Sequence, residues 1–266
     1  MIVAAIRSVL FYVVFFAQTV PLALIIGTAA LVQGRTRWGW SLVLYWIHSS
    51  RWLLRHIAGI RSEVTGADNL PDGACIIAAK HMSDWDIFAI LPDARRPAFI
   101  AKKELMDIPF FGHAARAYDT IRIDRSKGSE AVPLMLAEAR AALDRGARII
   151  IFPEGTRKAP LADPDYRWGV VRLYEAMGVP VVPVALNSGL FWGRNSLLLW
   201  PGTARARFLP PIPPGLHPET FRERLTGAIE TETDRLILAA VDEGMRRPLS
   251  ADLRQRIDAL KARAER

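Results

Sequence analysis

The sequence predicts an α/β fold in which helices flank a mixed sheet, with an N-terminal helical membrane anchor. Short apolar runs that suit strands alternate with longer segments of helix-forming residues, and this alternation is typical of α/β layers. Apolar residues are also concentrated before residue 60, as an added membrane segment would require. We therefore predict two parts, a membrane-associated helical segment over residues 1–58 and an α/β domain over residues 59–266.

The first segment is long and apolar enough to enter a bilayer. From Ser8 to Val32 the chain carries no charge, and about 20 apolar residues are enough to cross the hydrocarbon core. A cleaved signal peptide has an apolar core of only about 7–15 residues, which favours a retained anchor. Pro21 predicts a kink or two half-helices. The sequence leaves open whether the anchor spans the membrane or embeds in one leaflet.

The next segment, from Trp38 to Ile57, is tryptophan-rich and amphipathic. It suits a membrane interface, where tryptophan is enriched, and it suits core packing equally well. A single arginine, Arg7, precedes the apolar segment, whereas Arg35, Arg37, Arg51 and Arg55 follow it. The positive-inside rule therefore predicts that the α/β domain lies at the cytoplasmic face of the inner cell membrane.

The remaining elements follow in order along the chain. The first strand is predicted at Ile60–Gly66, and the second is the apolar run that ends at Lys80. Further strands are predicted at Pro97–Lys103, Ile121–Arg125, Arg148–Phe152, Val179–Leu186 and Thr203–Pro210. Helices are predicted from Trp85 with Ser83 or Asp84 as the cap, after Pro109, and at Ser129–Leu143, Trp168–Met177, Pro218–Val241 and Leu249 to the end.

Composition limits the function classes. The chain has 266 residues, 51% of them hydrophobic, and a formal net charge of +8. A basic protein meets nucleic acid, anionic lipid or acidic substrates. The basic residues are scattered and form no aromatic–basic platform, so we expect no nucleic-acid binding. The single cysteine, Cys75, cannot form an internal disulfide, and its apolar strand predicts a buried residue rather than a nucleophile.

Two short strings carry the chemistry, HMSDWD from His81 to Asp86 and FPEGTR from Phe152 to Arg157. Each string directly follows a predicted strand. In open α/β sheets, ligands bind where strands end at their carboxyl edge. The strings therefore predict a histidine base with an aspartate orienter, beside a cationic loop that suits an anion.

These residues resemble the motifs of the glycerolipid acyltransferase family, and most closely those of the 1-acyl-glycerol-3-phosphate acyltransferases. The H-x4-D motif matches His81 and Asp86. The second motif resembles Lys102 to Gly112 followed by Ile121 to Arg125, the third is FPEGTR, and the fourth matches Val179 to Gly189. The chain departs from the family at Lys80, where asparagine often precedes the histidine, and at Tyr118 and Asp119, where a glycine is common.

The resemblance implies roles for individual residues. His81 is the expected general base and Asp86 its orienter, so that the substrate hydroxyl takes the place of a serine nucleophile. Ser83 is an alternative nucleophile, but helix capping explains it better, and Asp84 is expected to be a cap. If Asp119 lined the site it would repel phosphate. The predicted substrate-binding residues are Lys102, Arg122, Arg125, Glu154, Gly155, Thr156 and Arg157.

The predicted activity is transfer of a fatty acyl group to the free hydroxyl of 1-acyl-glycerol-3-phosphate, giving phosphatidic acid. The expected partners are an acyl-CoA or acyl-ACP donor, a lysophospholipid acceptor and the membrane. No nucleotide fingerprint or zinc-ligand spacing occurs in the sequence, so no cofactor and no metal are expected.

Three alternatives stay open at this point. One is an acyltransferase that uses another acceptor, such as a lyso-ornithine lipid or glycerol 3-phosphate. A second is a metal-dependent lipid hydrolase with His81, Asp86 and Glu154 as ligands. A third is a lipid-binding protein without catalysis.

Overall fold

The computed structural model describes residues 1–264. Over that range the helices are α1 Ile2–Gln33, α2 Arg37–Leu53, α3 Trp85–Ile90, α4 Phe111–Ala117, α5 Val132–Asp144, α6 Trp168–Met177, α7 Pro218–Asp242 and α8 Ala251–Ala264. The strands are β1 Ile60–Thr65, β2 Ile76–Ala79, β3 Pro97–Lys102, β4 Ile121–Ile123, β5 Arg148–Ile151, β6 Val181–Leu186 and β7 Gly202–Phe208. The predicted mixed α/β fold is confirmed.

The strands form a 7-stranded sheet in the order β1-β7-β6-β2-β5-β3-β4. All neighbours are parallel except β6 and β7, which pair antiparallel. Strand β2 lies at the centre, with Ile77 beside Ile150 of β5 and Val182 of β6. Since β2, β5 and β6 run parallel, the segments that follow their carboxyl ends meet at one edge of the sheet.

The sheet is buried on both faces, which explains its nearly continuous apolar strands. In β2 the side chains alternate, so that Ile77 joins the hydrophobic core shared with α1, α2 and α3, while Ile76 joins the core shared with α5, α6 and α7. Cys75, one residue before β2, is fully buried, as predicted. Burial raises the pKa of its thiol from 9.0 to about 11.

Helix α1 packs along the α/β domain with one face and exposes an apolar face to the outside. Near its start, Phe11 contacts Trp192 edge to face and Ser8 Oγ accepts a hydrogen bond of 2.8 Å from the backbone N–H of Leu199. Near its end, Gly27 lies against Phe110. The exposed face consists of large apolar side chains at Ile2, Val3, Ile6, Val9, Leu10, Val13, Phe16, Val20, Leu24, Ile25, Leu31 and Val32.

Three local predictions were wrong. Helix α1 is continuous through Pro21, so the alternative of two half-helices is wrong; proline removes only one N–H from the hydrogen-bond ladder of a long helix. Helix α5 begins at Val132, because residues 125–131 form 3₁₀ turns in which Gly128 has φ 53°. Asp84 stands at the N-cap of α3 but makes no capping hydrogen bond. The segment predicted as amphipathic, α2, buries Ile47 and Leu53 in the core and exposes Trp52, so the expected core packing is confirmed and a membrane-interface role stays a prediction.

Candidate active site

The site begins with a histidine held by an aspartate at the carboxyl edge of the sheet. His81 follows β2, and its Nδ1 lies 2.9 Å from Oδ2 of Asp86 in the first turn of α3. An ionised carboxylate only accepts hydrogen bonds, so Nδ1 donates and the lone pair of the imidazole lies on Nε2. Within residues 1–264 this Nε2 makes no hydrogen bond, and 17% of the His81 side chain is exposed.

Asp86 is completely buried and fully hydrogen bonded. Besides His81 it accepts hydrogen bonds from the backbone N–H groups of Met82 at 2.7 Å and Ser83 at 3.0 Å. The hydroxyls of Ser83 at 3.2 Å and Ser188 at 2.5 Å donate to its other oxygen. A buried carboxylate with this many donors is fixed in place, which in turn fixes the imidazole ring and its tautomer.

Ser188 is a residue whose role the sequence analysis missed. It lies two residues beyond β6, inside the fourth motif. The signal was present, because β6 ends at the same edge as β2 and a small polar residue follows it. Ser83 also supports Asp86, and its Oγ accepts from the N–H of Trp85 at 3.1 Å, as its predicted capping role requires.

The FPEGTR loop lies directly against the histidine. The rings of His81 and Phe152 stack with centroids 3.9 Å apart, and the N–H of Lys158 donates to the carbonyl of His81 at 2.8 Å. Gly155 has φ 67°, a left-handed conformation that glycine adopts without strain. The two strings that the sequence predicts to meet are therefore in contact.

A buried ionic network fixes the position of the FPEGTR loop. Lys80 Nζ is 3.0 Å from Oε1 of Glu154 and 2.8 Å from Oε1 of Glu230 on α7, and the hydroxyl of Tyr166 donates to the same Glu230 oxygen. Only 1% of the Lys80 and Glu154 side chains is exposed. Burial raises the pKa of Glu154, and the neighbouring Lys80 opposes this shift. Lys80 therefore links the position before the base to the third motif.

The predicted substrate-binding arginines lie on different sides of the loop. Arg157 pairs with Asp84 at 2.8 Å, which explains why Asp84 does not cap α3. Arg125 donates to the carbonyl of Gly155 on the opposite side. The structure does not bring Arg122 or Lys102 to the loop, because Arg122 pairs with Glu138 at 3.0 Å and Lys102 pairs with Glu104 at 3.2 Å. These two roles stay predictions from the resemblance.

Asp119 lies apart from this loop. Its carboxylate binds the guanidinium groups of Arg35, Arg96 and Arg145 at 3.2, 2.9 and 2.7 Å. Burial alone would raise its pKa, but Arg96 and Arg145 outweigh burial and hold the pKa below its usual value. Since Asp119 faces these arginines, it gives no reason to expect a less anionic acceptor.

Two cavities with different lining residues adjoin the FPEGTR loop. The apolar cavity has a volume of about 470 Å³ and is lined by aromatic residues of α1 and α2, by Trp192, and by Asp84 and Arg157 at the loop. The second cavity, of about 570 Å³, is called the cationic cavity because Arg125, Arg167 and Arg172 line it together with the Glu154–Thr156 turn. The rest of its lining is largely apolar and includes Ile100, Ile123, Val132, Met135, Ile151 and Phe152. Among residues 1–264, no three His, Cys, Asp or Glu side chains lie in a group that could hold a metal ion.

The fold and the site define an α/β protein with a histidine–aspartate pair at its sheet edge, the arrangement that the motif resemblance links to acyl transfer. The family model described as Acyltransferase matches residues 61–187. A 1-acyl-sn-glycerol-3-phosphate acyltransferase from Pseudomonas aeruginosa is 35% identical over 82% of this chain and 83% of its own length. The chain therefore belongs to the 1-acyl-sn-glycerol-3-phosphate acyltransferase family.

Two further relatives agree with this assignment. The bovine 1-acyl-sn-glycerol-3-phosphate acyltransferase alpha is 31% identical over 62% of this chain, which spans 59% of the bovine protein. The crystal structure of the 1-acyl-sn-glycerophosphate (LPA) acyltransferase PlsC from Thermotoga maritima matches with a TM-score of 0.72 and 25% identity, covering 88% of this chain and 97% of that one.

Proposed function

We propose that this protein transfers a fatty acyl group from acyl-CoA or acyl-ACP to the free hydroxyl of 1-acyl-glycerol-3-phosphate, forming phosphatidic acid. The observation that carries the proposal is the His81–Asp86 pair, whose free Nε2 lies beside a loop with a phosphate-binding composition. The names of the related enzymes supply the substrate class.

The geometry supports general base catalysis without an acyl-enzyme. Nε2 of His81 takes the proton of the acceptor hydroxyl while that oxygen attacks the thioester carbonyl carbon. The tetrahedral intermediate then collapses, the C–S bond breaks, and the thiolate receives the proton from the imidazolium. Asp86 stabilises the imidazolium and keeps Nδ1 as the donor throughout. The products are the new ester and the free thiol of the donor.

The two cavities offer separate binding sites for the acyl chain and for the phosphate headgroup of the acceptor. The apolar cavity suits an acyl chain, because Tyr12, Phe15, Phe16 and Trp46 bring the anchor helices to the edge of the site. The cationic cavity suits an anionic headgroup, and its lining includes Arg125 and the Glu154–Thr156 turn. We therefore assign acceptor binding to Arg125, Glu154, Gly155, Thr156 and Arg157.

We also propose that α1 lies along the cytoplasmic leaflet rather than crossing the bilayer. It is long and apolar enough to span, by length and composition. However, Ser8 and Gly27, which both contact the α/β domain, are about 28 Å apart along a helix, close to the thickness of the hydrocarbon core. A crossing α1 would carry irregular backbone around Leu199 or Phe110 into lipid, where it is not tolerated.

Labelling tests this orientation. In a Cys75→Ala background, a single cysteine is either inserted directly after Met1 or replaces the exposed polar residue Gln33, at the two ends of α1. An impermeant maleimide should label both positions from the cytoplasmic side of inverted vesicles and neither from the other side. Labelling of the two positions from opposite sides would show that α1 spans.

An acceptor panel tests the substrate assignment. Purified protein is given palmitoyl-CoA or palmitoyl-ACP with 1-acyl-glycerol-3-phosphate, glycerol 3-phosphate or a lyso-ornithine lipid, and the product is identified by mass. We expect phosphatidic acid to form with a kcat/KM at least about tenfold above that of the other acceptors, a difference of about 1.4 kcal/mol. A higher kcat/KM for either alternative would move the assignment to that acceptor.

A further inference from the structure

The cationic cavity contains arginines that lie outside all four sequence motifs. Its wall is completed by the start of α6, where Arg167, Trp168 and Arg172 line the same space as Arg125 and the Glu154–Thr156 turn. Arg172 makes no ion pair within residues 1–264, and Arg167 pairs with the half-exposed Asp165 at 3.2 Å. Arginines from two separate segments therefore line one cavity beside the site.

Both segments lie against Gly155. Arg125 donates to the carbonyl of this residue. From the other direction, the backbone N–H of Arg167 donates to Pro153 at 2.9 Å, and Cγ of Arg167 is 4.0 Å from the position that a Cβ on Gly155 would occupy. The side chain of Arg167 thus lies beside the Glu154–Thr156 turn, to which Arg125 donates its hydrogen bond.

The electrostatics of the cavity favour an anion. Burial lowers the pKa of Arg125, and the nearby positive charge of Arg167 lowers it further, whereas Glu104 opposes the shift. Helix α6 begins at Trp168 without a side-chain cap, so its first N–H groups add a partial positive charge. The one carboxylate in the lining, Glu154, is already paired with Lys80. The lining therefore has three arginines against one already paired carboxylate, and a bound anion would stabilise this excess of positive charge.

We propose that Arg167 and Arg172, with the first turn of α6, form a phosphate subsite that extends the loop site on the Arg125 side. The proposal rests on the acyl transfer proposed above. Two substrates carry a suitable phosphate group. The first is the acceptor, with its glycerol phosphate, and the second is the donor, with the phosphate of its phosphopantetheine arm. Arginine suits either group because its planar fork binds two phosphate oxygens at once.

Steady-state kinetics test the subsite and identify the phosphate. Arg167→Gln and Arg172→Gln are compared with wild type and with Arg224→Gln, an exposed arginine of α7 outside the cavity. We expect each cavity variant to raise one KM by about tenfold while kcat changes less than about threefold, because a charge-assisted hydrogen bond is lost in binding. A rise in the acceptor KM identifies the glycerol phosphate. A rise in the donor KM identifies a donor phosphate, and the same rise with acyl-CoA and with acyl-ACP identifies the pantetheine phosphate that both donors share. Unchanged values of both KM would overturn the proposal.

A binding readout separates this proposal from the proposed activity. Glycerol 3-phosphate and free CoA are added to the detergent-purified protein and the melting temperature is measured. At least one of them should stabilise wild type and Arg224→Gln by several degrees and stabilise Arg167→Gln less. Equal shifts in all three proteins, or no shift in any, would contradict a phosphate subsite at α6. Absence of acyl transfer in wild type with this pattern of shifts intact would instead contradict the activity alone.

Discussion

The catalytic pair and the phosphate-binding arginines differ in how completely the protein itself satisfies their hydrogen-bonding groups. Asp86 is fully buried and accepts five hydrogen bonds, so the base side is complete without any ligand. On the phosphate side, which includes arginines at both cavities, Arg157 and Arg167 are part-exposed and pair only with the surface carboxylates of Asp84 and Asp165. Exposed ion pairs contribute about 0–1 kcal/mol, so these arginines exchange their partners for phosphate at little cost.

This difference matches what the catalytic pair and the arginines must each do. A general base acts only if its geometry is fixed before the substrate arrives, because reorganisation during the reaction would add to the barrier. A binding cation has to release one partner and accept another, so a rigid buried pair would hold it away from the ligand. Substitutions on the base side should therefore reduce kcat, whereas substitutions on the phosphate side should raise KM.

Apart from the removal of His81 itself, the largest expected effect comes from Asp86→Asn, with Asp84→Asn as the matched control two residues away. The first change removes the charge that stabilises the imidazolium and leaves an amide facing hydroxyl donors. We expect kcat to fall by about 10³-fold, while Asp84→Asn, at an exposed carboxylate, should lower it by less than about threefold. Similar losses in both variants would show that Asp86 has no special role as orienter.

Lys80→Met should have the next largest effect, and mainly on stability. It leaves Glu154 and Glu230 as two neighbouring carboxylates below the loop without their cation. Breaking a buried ion pair costs about 3 kcal/mol or more, which corresponds to a fall in melting temperature of about 6–12 °C in a protein of this size.

Glu230→Gln is the matched test of the same network. It removes one of the two negative charges and keeps a hydrogen-bonding oxygen for Lys80 and Tyr166, so its melting temperature should fall by less than half as much. A larger loss in Glu230→Gln than in Lys80→Met would mean that Lys80 does not hold the network together.

The sequence predicted the residues that lie in short motifs directly after strands, but not their partners from distant parts of the chain. His81, Asp86 and Phe152–Arg157 were predictable because each string is short and directly follows a strand whose end the parallel order places at one edge. The partners that are distant in sequence were not predictable. Glu230 lies 150 residues beyond Lys80, and nothing local marks an acidic residue of a long helix as the partner of a buried lysine. The ion pair of Arg122 with Glu138 was also not predictable, since adjacency to Arg125 does not show which way a side chain points, and the binding role of Arg122 stays a prediction.

Arg125→Ala should give an intermediate effect on binding. Arg125 lines the cationic cavity, whereas Arg122 pairs with Glu138 elsewhere. We expect Arg125→Ala to raise the acceptor KM by about 10–100-fold with a small change in kcat. The rise for Arg122→Ala should be at least about fivefold smaller, as measured with short-chain acceptors below their aggregation limit. The reverse order would move the phosphate contact to Arg122.

The smallest expected effect is at Cys75, at the opposite end of the strand that leads to His81. Because burial raises its pKa to about 11, iodoacetamide at pH 8 should label native protein at less than about a tenth of the rate seen in denaturant. The neutral thiol stabilises the fold below about pH 9, and this contribution is lost as the pH rises towards 11. Cys75→Ala should keep wild-type turnover. Rapid labelling of the native protein, with loss of activity, would make Cys75 part of the site.

The most direct test of the central claim is acceptor-dependent CoA release by wild type and His81→Ala, each with and without EDTA. Removing His81 leaves Asp86 with four other donors, so the variant should keep its melting temperature within about 2 °C. We predict that release by wild type survives EDTA and that His81→Ala loses at least about 10³-fold in kcat. Activity of a folded His81→Ala near the wild-type level, or abolition by EDTA with rescue by zinc or manganese, would contradict histidine-base acyl transfer.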